Sequence, residues 1–230
     1  MSDKKFELTP SISILIAGVI IAGAIVFVNM HPGSPSVAAA DAAAPAVPTK
    51  LDIKLPSADD HIIGSPTAPI VLVEYSDFQC PFCSMIYPSL KQIVSNSHGQ
   101  IAWVMREFPL TSIHPQAAPA ATAAECISAL AGNDAFWKYT DMVFANQTSL
   151  NPAYSSQVAK SLGVDPAKYA QCVSTNPYQA KIDAGTNEAQ SNGGNGTPFT
   201  VVVNTKTGKM VPISGAVPQA QIQQVINSIK

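Results

Sequence analysis

Charge is what this chain has least of. Only 12% of its 230 residues are Asp, Glu, Lys or Arg, about half the usual share of roughly 25%, while 47% are hydrophobic. An intrinsically disordered chain needs the opposite balance and is excluded. Long basic runs are absent and the formal net charge is −2. A nucleic-acid binder, which neutralises phosphates with clustered Lys and Arg, is therefore not expected. Cysteine is scarce, with four residues, too few for a small domain built on disulfides. No internal repeat marks a solenoid or propeller.

Ile12–Val28 is a run of seventeen residues without a charge, with Ser13 as its one polar side chain. It stands at the short end of the roughly 17–25 residues that span a bilayer. Lys4 and Lys5 precede it, and no Lys or Arg comes after it until Lys50. The positive-inside rule then leaves residues 1–11 in the cytoplasm and exports the chain beyond the run. We expect a transmembrane signal anchor over residues 12–30. The alternative is a cleaved signal peptide, with the small residues Val37–Ala40 as the cleavage region. Residues 31–50, with Pro32, Pro35, Pro45 and Pro48 among many Ala, read as a linker that cannot bury a core. The folded domain is expected over 51–230, on the extracytoplasmic side of the cell membrane.

Within that domain, Ile70–Tyr75 (IVLVEY) reads as a strand buried on both faces. Cys80–Asn96 has apolar residues at helical spacing, with His98-Gly99 as its stop, and Ile101–Phe108 is a second strand. From about 115 to 190 the pattern is helical throughout, with helices expected at Ala117–Ala131, Asp134–Asn146, Ala153–Leu162, Pro166–Ser174 and Tyr178–Gln190. Strands return at Phe199–Asn204 and Lys209–Ser214, and an amphipathic helix, Pro218–Ile229, closes the chain. The reading is an α/β domain in which a β-α-β unit and a β-β-α unit flank an all-helical insertion.

Cys80-Pro81-Phe82-Cys83 stands just after a buried strand, at the start of a helix. A zinc site would need two further ligands at matching spacing; Cys126 and Cys172 lie 46 residues apart, and the four His do not pair. A redox dithiol suits the placement. At a helix N-terminus, unsatisfied N–H groups and the helix dipole stabilise a thiolate, which is the attacking and leaving species of disulfide exchange. Pro81 fits the first helical turn, where its missing N–H has no partner. Cys80 is expected to face solvent, with Cys83 one turn in, against the sheet. No cofactor or metal is expected.

The segment Glu74-Tyr75-Ser76-Asp77-Phe78-Gln79-Cys80-Pro81-Phe82-Cys83 resembles the active-site segment of the DsbA-like branch of the thioredoxin superfamily, in the form found on membrane-anchored bacterial proteins. The likeness extends through Asp60–Gly64, Phe108-Pro109-Leu110, His114-Pro115, Phe136-Trp137 and Gly196-Thr197-Pro198-Phe199, over roughly 58–230. It implies a thioredoxin fold with a helical insertion, and a cis peptide bond at Thr197-Pro198 in a loop that faces the dithiol and helps hold substrate. It also implies a buried acid at Glu74 that assists proton transfer at Cys83, with a solvated carboxylate at the strand end as the alternative. Phe82 stands where some strongly oxidising members have His, and Gly193-Gly194-Asn195 is a looser approach to the proline loop. His114 reads as a helix-opening residue. Some relatives have a second, structural disulfide; Cys126 and Cys172, otherwise unassigned in an exported chain, are expected to pair, with two buried free thiols as the alternative.

The function implied is a thiol–disulfide oxidoreductase that donates disulfides to exported proteins with free cysteines. A quinone-linked membrane partner of the DsbB or VKOR kind would reoxidise it. Rivals are an isomerase or reductase of the same fold, or a tethered chaperone or binding module without turnover. Isomerases of this superfamily have a separate dimerisation domain, for which the stretch before Cys80 leaves no room, and this disfavours the isomerase reading. A monomer is expected.

Overall fold

The structure, a computed structural model, describes residues 50–230. The expected anchor at 12–30 and most of the linker lie outside the described residues; among those described, no helix is long and apolar enough to cross a membrane. The strands are β1 (His61–Ile63), β2 (Ile70–Ser76), β3 (Ile101–Glu107), β4 (Phe199–Asn204) and β5 (Met210–Ser214). They form one mixed sheet in the order β1-β3-β2-β4-β5. β2 and β3 run parallel, with Ile70 opposite Ile101, while β1, β4 and β5 pair antiparallel with their neighbours.

Helix α1 (Pro81–Ser95) makes the crossover between β2 and β3, as parallel strands require. Its apolar stripe, Cys83, Ile86, Tyr87, Leu90, Ile93 and Val94, is buried. The insertion comprises α2 (Ala117–Ala131), α3 (Asn133–Ala145), a single 3-10 turn (Gln147–Ser149), α4 (Pro152–Ser161), α5 (Pro166–Thr175) and α6 (Gln179–Ser191). Helix α7 (Gln219–Ile229) buries Ile222, Ile226 and Ile229. The element order matches the sequence reading, with ends displaced by a residue or two. β1 is an addition to that reading: three residues are too short to show a period, and pairing with β3 makes the strand.

Both faces of β2 are covered, which is why every residue in it is buried. Ile70 and Leu72 join the core shared with α1, α7 and the insertion, whereas Val71, Val73 and Tyr75 join a second core with Ala189 of α6 and Ile53 of the preceding segment. Side chains alternate along a strand, so Glu74 falls on the Leu72 face, beneath α1. Trp103 of β3, fully buried, packs against Trp137 of α3 and Tyr87 of α1 with ring centroids 4.7 and 5.2 Å away. Such pairs add roughly 0.5–1.5 kcal/mol each beyond area burial, and here they tie sheet, insertion and active-site helix into one body.

Cys126 of α2 is bonded to Cys172 of α5. His61 of β1 stacks on Phe136 with ring centroids 3.6 Å apart, and its Nε2 lies 3.0 Å from a carboxylate oxygen of Glu125. The Lys181 ammonium donates to the other oxygen of Glu125 at 2.8 Å, so the edge strand is locked to the insertion through a paired buried charge.

Candidate active site

The site forms where β2 ends and α1 begins. Cys80 is the N-cap of α1, with Pro81 at the first helical position. Its carbonyl accepts the N–H groups of Cys83 and Ser84 at 3.1 and 3.3 Å, which starts the helix and fixes the turn between the sulfurs. Both cysteines are in the dithiol form. Cys83 is fully buried over the sheet, while Phe82 between them is 55% exposed. Cys80 does not face solvent as expected: it is only 3% exposed. The reason lies 117 residues away in sequence, where the loop before β4 closes over it and the Cys80 thiol donates to the Thr197 carbonyl at 3.4 Å. The Thr197-Pro198 peptide bond in that loop is cis.

The two thiols are driven apart in acidity. Cys80 is lowered to about 6, first by the Cys83 thiol as a hydrogen-bond donor, then by the nearby polar side chain of Thr197 and the N–H groups of Cys83 and Phe82, against the upward push of burial. Cys83 is raised well above the ordinary thiol value by burial, by its bond to Cys80 and by the charges of Glu74 and Cys80. One sulfur is held as a thiolate and the other as its proton donor.

Glu74 is fully buried beneath α1, and neither of its carboxyl oxygens accepts a hydrogen bond of good geometry. Burial raises its carboxyl to about 7, with Ser76 and Trp103 as polar neighbours that moderate the rise. A carboxyl in that range can both give and take a proton near neutral pH. Its stability cost has a definite sign. The folded state binds the proton more tightly than the unfolded chain, so stability is whole below about 4.5 and falls as pH rises to 7 and beyond. The loss is about 3 kcal/mol above that window. In the disulfide form, where neither cysteine titrates, urea unfolding should show this fall between pH 4.5 and 8. Glu74→Gln should abolish the fall; an unchanged slope would mean the carboxyl titrates normally.

Sequence reading missed three further residues. Asp77 is buried; one carboxylate oxygen accepts the Gln79 N–H at 2.7 Å, and the other accepts the Leu110 N–H and faces His114 Nδ1, both at 2.8 Å. His114 is thus a partner of the active-site loop rather than only a helix opener. Gln147, in the 3-10 turn, donates its amide to the carbonyls of Phe78 and Cys80 at 3.0 and 2.9 Å. No spacing rule links positions 37 or 67 residues apart, so only Asp77, beside the dithiol, had a local signal. Cys126 and Cys172 are not part of this site. Among the described residues, His61, Glu107 and Glu125 could offer converging metal ligands, but Lys181, 3.1 Å from His61 Nε2, supplies the positive charge there.

The family described as thioredoxin matches residues 57–227. Pseudomonas aeruginosa DsbA2 superposes with a TM-score of 0.65 at 27% identity, over 77% of this chain and 97% of that one. Bacillus subtilis BdbD superposes with a TM-score of 0.62 at 19% identity, over 74% of this chain and 92% of that one, a likeness of fold. Among curated relatives, a Na+/H+ antiporter of Salinispora tropica is 34% identical over 63% of this chain. An antiporter of Mycolicibacterium gilvum is 34% identical over 64%. The chain spans only 22–24% of the length of those relatives. A buried dithiol at the start of α1, the cis-proline loop against it, the helical insertion and the family match over most of the domain lead to one assignment: the chain belongs to the thioredoxin family as a DsbA-like member, with the fold of the thiol–disulfide oxidoreductases.

Proposed function

We propose that the protein is a disulfide donor, oxidising cysteine pairs of exported proteins through Cys80 and Cys83. The observation that supports this reading is the divided acidity of the pair, with Cys80 held at about 6. A low pKa stabilises the reduced form of the enzyme and so makes its disulfide more oxidising. The value falls between the thiols of about 7 in thioredoxin and about 3.5 in DsbA. Cys80 is the sulfur that a substrate thiolate attacks; Cys83 leaves, and Glu74 supplies its proton. Phe82 and the Thr197-Pro198 loop flank the approach, so an extended substrate segment would lie beside them. The apolar run at 12–28 would hold the domain at the outer face of the cell membrane, within reach of a quinone-linked partner of the DsbB or VKOR kind.

Equilibration with glutathione tests the direction of electron flow. The Cys80–Cys83 couple is expected between roughly −120 and −230 mV, with oxidation of a reduced, unfolded protein in the same assay. A couple near the roughly −270 mV of thioredoxin would make the protein a reductase and overturn the reading.

A further inference from the structure

Residues 77–80, the loop that delivers Cys80 to the helix, are held from the insertion side by two side chains. His114 Nδ1 meets the buried Asp77 carboxylate at 2.8 Å, and the Gln147 amide bridges the Phe78 and Cys80 carbonyls at 3.0 and 2.9 Å. A third tie runs the other way, with the Gln116 N–H donating to the Gln79 side chain at 2.6 Å. The backbone of the same loop touches the chemistry directly, because the Asp77 N–H donates to the Cys83 sulfur at 3.4 Å. A carboxylate buried as deeply as that of Asp77 persists only where donors saturate it, and the geometry of that saturation sets the direction of its own N–H.

We propose that His114 and Gln147 are positioning residues for disulfide exchange, clamping residues 77–80 so that the Asp77 N–H stays aimed at the sulfur of Cys83. The step they serve begins when a thiolate attacks Cys80 of the oxidised protein. A new S–S bond forms at Cys80 and the Cys80–Cys83 bond breaks. Its electron pair goes to Cys83, which departs as a thiolate. That charge develops at a buried sulfur, where a fixed N–H lowers the barrier at no cost of reorganisation. A second substrate thiolate then opens the mixed disulfide and releases the Cys80 thiolate, so two electrons pass from the substrate dithiol to the enzyme. The inference rests on exchange at this pair and not on its direction.

The test is the rate at which reduced glutathione opens the Cys80–Cys83 disulfide of the full-length protein. His114→Ala should slow opening about tenfold, the order of one hydrogen bond to a charged group. His114→Asn, whose amide N–H falls near the position of Nδ1, should restore most of the rate, which a role in packing alone would not predict. Gln147→Ala, at a half-buried surface turn, should slow opening to a similar degree and keeps the test available if His114→Ala does not fold. Alanine variants that open at the wild-type rate, or an Asn variant as slow as Ala, would overturn the proposal. A wild-type protein that does not exchange with glutathione at all would instead overturn the functional reading on which it rests.

Discussion

Cys80→Ser is expected to abolish disulfide exchange outright, whereas Cys83→Ser should keep the first sulfur and arrest the reaction as a mixed disulfide through Cys80. The asymmetry arises from the environment of each thiol. With Cys80 at about 6, about nine-tenths of it is thiolate at pH 7, against a few per cent for a free cysteine of pKa about 8.5. Cys83 is buried against the sheet and held protonated by that burial, by Cys80 and by Glu74. Alkylation of the reduced protein should therefore label Cys80, with a rate that rises through an inflection near pH 6. Labelling that falls on Cys83, or an inflection at the ordinary thiol value, would remove the basis for assigning Cys80 as the attacked sulfur. Its low exposure adds a condition: the labelling reagent must be small enough to pass the Thr197-Pro198 loop.

The second large effect concerns stability. Joining Cys126 to Cys172 closes a loop with a sequence separation of 46, which in the chain-entropy model stabilises the fold by roughly 4 kcal/mol. Replacing both with alanine should lower the urea midpoint by about 2 M, given typical slopes for a domain of this size. Exchange per folded molecule should persist, because neither sulfur touches the dithiol or the side chains that hold its loop. An unchanged midpoint would show that the packing of α2 against α5 suffices without the bridge. Loss of exchange in the folded double variant would tie the bridge to the active site.

The dithiol and its frame are legible in the sequence because local rules write them. IVLVEY is β-branched and apolar enough to be a doubly covered strand, and a cysteine followed by proline at a helix start is readable from capping chemistry alone. The insertion is equally plain, since Ala-rich and amphipathic periods define helices without reference to the sheet. The cis bond before Pro198 rests on family likeness, and the pairing of Cys126 with Cys172 on the exported compartment together with that likeness; neither follows from a local pattern.

Short-range periodicity, turn residues and spacing are properties of neighbouring positions, and they suffice for the order of every element except β1 and the 3-10 turn, and for the reactive pair. Whatever depends on contacts between distant positions is set by the folded chain. His61–Ile63 becomes a strand because β3 offers it an edge. Cys80 is shielded because the Thr197 loop folds back over it. Glu74 holds its proton more tightly than a free carboxyl because α1 and the sheet beneath it exclude water. His114 and Gln147 reach the active-site loop from 37 and 67 residues away. Hydrogen bonds and desolvation act over a few ångströms regardless of separation along the chain, so no local pattern could announce them.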